Sequence, residues 1–155
     1  MISKEDLIGS WHLESWTIGY SDREDFTYPY GEEPEGLLLY ATDGWMSASI
    51  ARAGREALPK DVSYRKLPDA VKAGAFSSYF HYAGRYRVVD GDVIHQVTQS
   101  LNPNFPGTEQ LRHAELDGQT LVLSGKDQVG GATRFHSLVW HRAEATPDGV
   151  LIEDA

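Results

Sequence analysis

Four turn dipeptides set the frame of this chain: Asp43-Gly44, Asp90-Gly91, Asp117-Gly118 and Gly130-Gly131, each standing between runs of β-forming residues. Pairs of this kind supply the positive φ angles that tight hairpins demand, so each predicts two neighbouring antiparallel strands. The runs fall at 11–20, 36–42, 45–51, 79–89, 92–101, 108–117, 119–125 and 132–142. Eight strands in meander order predict an all-β fold, an eight-stranded antiparallel up-and-down barrel, which removes sheet edges and leaves room for one small ligand. A two-sheet sandwich is the competing arrangement. One stretch breaks the β pattern. In "LPDAVKAGAFSSYF" Pro68 suits a first turn and Leu67, Val71, Ala75 and Ser78 share a face, which predicts a helical insertion around residues 66–78. Residues 1–143 then form one domain, and 144–155 read as a polar C-terminal tail with a short apolar patch.

Charge and composition narrow the partners. A net charge of −9 repels phosphate backbones and anionic bilayer surfaces, so nucleic acid and membrane are not expected as partners. No run of about 20 apolar residues occurs, and "MISKEDLIGSW" has charges where a signal peptide needs an apolar core, which points to a cytoplasmic protein. The chain has no cysteine, which removes disulfides, thiolate catalysis and Cys-type metal sites together. Six histidines remain as candidate ligands, but His12, His81 and His141 fall on faces expected to meet solvent and no three ligands converge. Neither a metal nor a haem or other cofactor is expected. No G-x-S-x-G elbow or phosphate-binding glycine spacing is present.

Period-2 alternation says which side chains look inward. In 92–101, Val93, His95, Val97, Gln99 and Leu101 share the more apolar face, which carries His95 and Gln99 into the barrel. In 108–117, Arg112 falls in phase with Ala114 and Leu116. In 79–89, Tyr82, Gly84, Tyr86 and Val88 alternate with Arg85 and Arg87, so the tyrosines face the lumen or core. The last run sets His136, Leu138, Trp140 and Arg142 on one face, while 36–42 is apolar on both faces and leaves Leu38 and Tyr40 against Leu37 and Leu39 undecided.

An inward arginine needs a carboxylate, a wet cavity or a ligand oxygen, because its guanidinium does not deprotonate. Glu109 and Glu115 are the carboxylates at hand for Arg112. His95 can be a neutral, hydrogen-bonded core residue or a proton-transfer group. Tyr40, Trp45 and Tyr86 can be packing residues or the aromatic wall of a pocket. Within "NPNFPG", Asn104 and Phe105 belong to a rigid rim turn placed where ligands enter.

The order of several segments resembles a known family. Gly9-Ser10-Trp11 opens the first strand and Trp140-His141-Arg142 closes the last; between them stand "YPYGEEPEGLLLYATDGWMSA", "YAGRYRV", "VIHQVTQSLNPNFPGTEQLR" and "LVWHR". Together these resemble the small lipocalin-like domain family of bacteria and fungi. The resemblance implies a lipocalin-type (calycin) barrel with an internal cavity, in which Gly9 and Trp11 form the base and Arg142 covers the tryptophan. The chain lacks the cysteine bridge and the T-D-Y motif of secreted lipocalins, so extracellular transport is a poor analogy.

Two functions fit this set. In one, the barrel binds a small, partly aromatic metabolite and acts as a cofactor-independent isomerase, cyclase or dehydratase of secondary metabolism. His95 would transfer the proton while Arg112 and Tyr82 stabilise an oxyanion, and Tyr40, Trp45, Tyr86, Gln99, Asn104, Phe105 and His136 would contact the ligand. In the other, the same pocket only binds or carries the compound. The sequence leaves the oligomeric state open.

Overall fold

A computed structural model describes residues 1–146; the C-terminal tail expected at 144–155 lies, from residue 147 on, outside the described residues. Nine strands follow one another: β1 (Gly9–Tyr20), β2 (Arg23–Thr27), β3 (Glu35–Tyr40), β4 (Trp45–Ala51), β5 (Tyr79–Val89), β6 (Asp92–Ser100), β7 (Glu109–Asp117), β8 (Thr120–Val129) and β9 (Ala132–Arg142). Strands β3 to β9 pair in sequence order, β1 pairs β3, and β1 pairs β9 from Trp11↔Arg142 to Tyr20↔Arg134. Eight strands therefore close into an antiparallel barrel. The ninth, β2, was not anticipated; it is exposed throughout and pairs only with the second half of β1. Its sequence, Arg-Glu-Asp-Phe-Thr, gives no apolar alternation because it has no core to face.

The undecided face of β3 resolves cleanly: Leu38 and Tyr40 are buried, while Leu37 and Leu39 remain exposed. The helical insertion divides into a 3₁₀ turn (Tyr64–Lys66) and α2 (Asp69–Ser77), entered through Pro68. None of the α2 residues is buried, so the helix is held mainly from outside its own face. Arg55 donates to Ser78 Oγ at 2.9 Å and to the Ala75 carbonyl at 3.0 Å. Leu67, just before the helix, is the buried anchor.

The two ends of the barrel differ. At one end lie the tight turns after β3, β5 and β7, together with the short helix α1 (Lys4–Leu7). There Trp11 is fully buried and donates its indole N–H to the Leu7 carbonyl at 2.9 Å. Arg142 stacks over the Trp11 ring with its guanidinium 4.1 Å from the centroid, and donates to the Ile8 and Asp6 carbonyls at 2.9 and 2.8 Å. Gly9 leaves space for it: a Cβ there would stand 3.2 Å from Arg142 Nη1. At the other end lie the long connections, 21–34, 52–78 and 101–108, around a cavity.

Two bulges shift side chains between faces. In β1 the register against β9 steps at Glu14, so Trp11 and Leu13 point inward and, past the step, Trp16 does as well. In β6 one extra residue lies between Val97, opposite Gly84, and Gln99, opposite Ala83. Gly84 makes this possible, because a Cβ there would sit 2.0 Å from the Gln96 carbonyl oxygen. The bulge corrects the expectation for Gln99. Strict alternation places it inside with His95, but the added residue turns it outward and leaves it exposed.

Candidate functional site

A cavity of about 480 Å³ occupies the barrel toward the end with the long connections. That volume falls within the ~300–1,000 Å³ range of small-molecule sites. Its wall is aromatic and aliphatic, with Trp16, Phe80, Tyr82, Phe105, Leu123, Leu138 and Trp140 among the lining residues. Most of its polar groups come from β6, β7, β8 and β9, namely His95, Gln110, Arg112, Lys126, Asp127, Arg134 and His136; Tyr82 on β5 and Asn102 in the loop after β6 add two more.

His95 is 1% exposed, and each ring nitrogen meets a tyrosine hydroxyl at 2.6 Å: Nε2 with Tyr40 and Nδ1 with Tyr82. Burial above all, and then the charge of Arg112, push its pKa down to about 3, so the imidazole is neutral near neutral pH. A neutral imidazole has one N–H and one lone pair, and the surroundings select which nitrogen carries the proton. If Nε2–H donated to Tyr40, the Tyr40 proton would have no acceptor, since its hydroxyl meets only His95 among the described residues. A buried donor left unmet costs about 1–3 kcal/mol. The opposite tautomer avoids this: Tyr40 donates to Nε2, Nδ1–H donates to Tyr82, and the Tyr82 hydroxyl keeps its proton for the cavity that Tyr82 lines.

His95 therefore has no free nitrogen to accept a proton from a ligand; it fixes which way Tyr82 donates. Burial raises the pKa of Tyr82, and the nearby Arg112 draws it down in part. Burial likewise raises Tyr40 well above the usual tyrosine range. Both remain protonated hydroxyls.

Arg112 points inward and has no carboxylate partner among the described residues. Glu109 pairs with Arg87 at 2.9 Å and Glu115 lies 3.5 Å from His113. Arg112 Nη1 donates to the carbonyl of its neighbour Leu111 at 2.8 Å. His136 is also fixed in its tautomer. Trp16 donates its indole N–H to Nδ1 at 3.1 Å, so Nε2 carries the proton and donates to Asp127 at 3.2 Å. Burial lowers the His136 pKa even with Asp127 beside it. Asp127 also accepts two hydrogen bonds from Arg134, at 2.6 and 2.7 Å, which hold its pKa below the usual carboxylate value. The one acidic side chain lining the cavity is thus already satisfied.

Trp140 completes the wall. It is 2% exposed, and its Nε1 is the one buried side-chain polar atom among the described residues with no hydrogen-bond partner. The described residues contain no group of three or more His, Asp or Glu placed to hold a metal ion.

Of the residues singled out in the sequence, His95, Arg112, Tyr82, Phe105 and His136 line this cavity. Tyr40 stands behind His95. Three others do not reach it, in addition to Gln99. Trp45 is 43% exposed on the outside, with Arg85 over its ring at 4.9 Å. Tyr86 packs edge-on against Tyr40 at 4.7 Å and donates to the Ala41 carbonyl at 2.6 Å, which makes it a core residue. Asn104 is exposed, its N–H donating to the Asn102 side chain at 3.0 Å, and it is Asn102 that borders the cavity.

Several lining residues escaped the sequence reading. Phe80 lies two positions before Tyr82 and was reachable by extending the same alternation. Asp127 and Arg134 sit opposite each other across the Gly130-Gly131 turn, in strands that run longer than their apolar cores. Trp16 was hidden by the bulge at Glu14.

A family model described as a lipocalin-like domain matches residues 8–143. No curated protein matches the chain significantly. No helix among the described residues is long and apolar enough to cross a membrane.

Proposed function

The chain belongs to the lipocalin-like domain family, and from that premise we propose that its barrel binds one small, partly aromatic metabolite bearing oxygen acceptors. The observation that carries this reading is the unmet indole N–H of Trp140, a buried donor in the wall of a cavity with room for a ligand. Burying such a donor without an acceptor costs about 1–3 kcal/mol, which an acceptor on a bound molecule recovers. The free proton of Tyr82 supplies a second donor, and the aromatic walls supply apolar contact.

Binding without turnover is the reading these residues support best. Isomerisation, cyclisation or dehydration needs a base, and His95 has both nitrogens engaged while Asp127 is tied to Arg134 and His136. One observation favours the enzyme reading: Arg112 acts on the Tyr82 hydroxyl at the cavity, and such a pair polarises a carbonyl. In that version Tyr82 and Arg112 are the electrophilic pair and His95 positions Tyr82.

A ligand-induced thermal shift over aromatic, polyketide and fatty-acid compounds tests the proposal, followed by turnover assays on each hit. Binding without chemical change, weakened by Tyr82→Phe, supports the carrier. Turnover that Tyr82→Phe abolishes while affinity persists would replace it with the enzyme. A barrel that no compound stabilises would end both.

A further inference from the structure

Strands β7 and β8 part before the barrel ends. Their pairing runs from Asp117↔Thr120 only to His113↔Ser124. Beyond it, β7 residues 109–112 pair with β6 alone and β8 residues 125–129 with β9 alone. Arg112 fills the split. Its Nη1 caps the Leu111 carbonyl, which has lost its partner strand, and Gly125 clears the slot, since a Cβ there would stand 2.8 Å from Nη1. Gln110, Arg112, Lys126 and His136 border both the interior cavity and a groove on the outer surface, so the split is where the inside meets the outside.

The charges there are unbalanced. Neither Arg112 nor Lys126 has a carboxylate partner among the described residues, in a protein whose net charge is −9. The acidic groups that line the cavity and the groove are engaged elsewhere: Asp127 by Arg134 and His136, Glu109 by Arg87 and Asp92 by His113. With Nη1 committed to Leu111, the remaining guanidinium N–H groups, beside the Tyr82 hydroxyl at the cavity wall, are the donors that a carboxylate oxygen can meet.

Resting on the binding function proposed above, we infer that the ligand is an amphipathic carboxylate. Its carboxylate sits in the β7/β8 split on Arg112 and Lys126, and its partly aromatic body runs down the barrel and carries the oxygen acceptor that meets the Trp140 N–H. A neutral ligand would leave both cations uncompensated at the cavity wall, and a cation would be repelled by them.

Competition for a neutral fluorescent probe, N-phenyl-1-naphthylamine, separates this inference from the function it rests on. The probe reports whether the barrel takes an apolar guest at all; 2-naphthoate and 2-naphthamide, matched in shape, report charge. Naphthoate is expected to displace the probe at least about tenfold more tightly than the amide. That preference should disappear in Arg112→Gln and shrink in Lys126→Gln, the second a change at an exposed residue that spares the fold. In the unsubstituted protein, raising salt from about 20 to about 500 mM should weaken naphthoate and leave the amide unchanged. If the probe binds but the two naphthyl compounds compete equally, or naphthoate does not compete, the carboxylate inference is overturned and the binding function stands. If neither probe nor naphthoate enters, both are overturned.

Discussion

Two tryptophans and two arginines separate a finished base from an unfinished cavity. Trp11 and Arg142 close the base; Trp140, opposite Leu13 and Leu121, forms the deep wall of the cavity just above it, and Arg112 stands nearer the open end. Trp11 and Trp140 are buried to nearly the same degree, yet Trp11 donates to the Leu7 carbonyl and Trp140 donates to nothing. Arg142 and Arg112 both reach inward from strands. Arg142 spends its donors on two carbonyls and its face on an indole; Arg112 satisfies one carbonyl of its own strand and meets no carboxylate among the described residues. Equal burial with unequal satisfaction is informative, because buried polar groups in a purely structural core are normally paired. The base of the barrel is built for stability, and the cavity above it retains unmet hydrogen-bond capacity that a ligand can use.

The strongest way to break this contrast is to cut into the base. Trp11→Ala removes a fully buried indole, its hydrogen bond and the platform of Arg142, and should cost about 3–5 kcal/mol in urea-induced unfolding. Loss of ligand affinity in protein that remains folded would show that the two ends are coupled.

Acid should find the next weak point at His95. Its folded-state pKa, about 3, lies below the ordinary value of 6.5, so between those limits the unfolded chain binds more protons than the folded one. The resulting stability is complete above pH about 6.5 and declines as pH falls toward about 3, by at most about 1.4 kcal/mol per pH unit. Asp127, whose pKa is depressed below 3.8, begins to lose its contribution only below that value, so its window overlaps just the acid end of the His95 window and is outside the range from pH 7 to 4. Unfolding measured from pH 7 to 4 on the protein and on His95→Gln should show a shallower slope in the variant. Equal slopes would mean that His95 already accepts its proton in the folded state.

How much of this could be read from the chain depends on whether local alternation survives. The four turn dipeptides and the strands beside them define the eight-stranded closure, and alternation through Val93, His95 and Val97 points inward as observed. Gln99 and Trp16 defeat it, because a bulge adds one residue and reverses every side chain beyond it, and nothing in the local composition announces the added residue. Trp45 and Tyr86 fail differently: aromatic character does not distinguish a pocket wall from a core or an exposed cation–π partner. The split between β7 and β8 is a long-range property of three strands, and only Gly125 hints at it in the sequence.

The arginines sharpen the comparison at intermediate size. Arg142→Gln removes charged hydrogen bonds to two carbonyls, each of a kind worth about 1.5–3 kcal/mol, and should lower the urea midpoint visibly. Arg112→Gln gives up the bond to Leu111 and the interaction with the Tyr82 hydroxyl at a partly open site, and should change stability by less than about 1 kcal/mol. A larger loss for Arg112 would make it a structural staple of the split.

The smallest effect is also the most discriminating. Trp11→Phe and Trp140→Phe delete the same N–H and nearly the same ring area from sites of matching burial. At Trp11 the deletion leaves the Leu7 carbonyl without its donor, so the substitution loses a hydrogen bond as well as packing, about 1 kcal/mol beyond the area difference. At Trp140 it removes a donor that had no partner, so the free protein gives up packing alone and is relieved of an unsatisfied group. Unfolding of the ligand-free proteins should therefore place Trp140→Phe above Trp11→Phe in stability. With a ligand bound, the order of effects on affinity should invert, with Trp140→Phe weakening binding and Trp11→Phe leaving it unchanged. Equal stability losses and equal affinities would mean that the unmet N–H of Trp140 meets an internal water and not a ligand, and the distinction between the two ends would reduce to solvation.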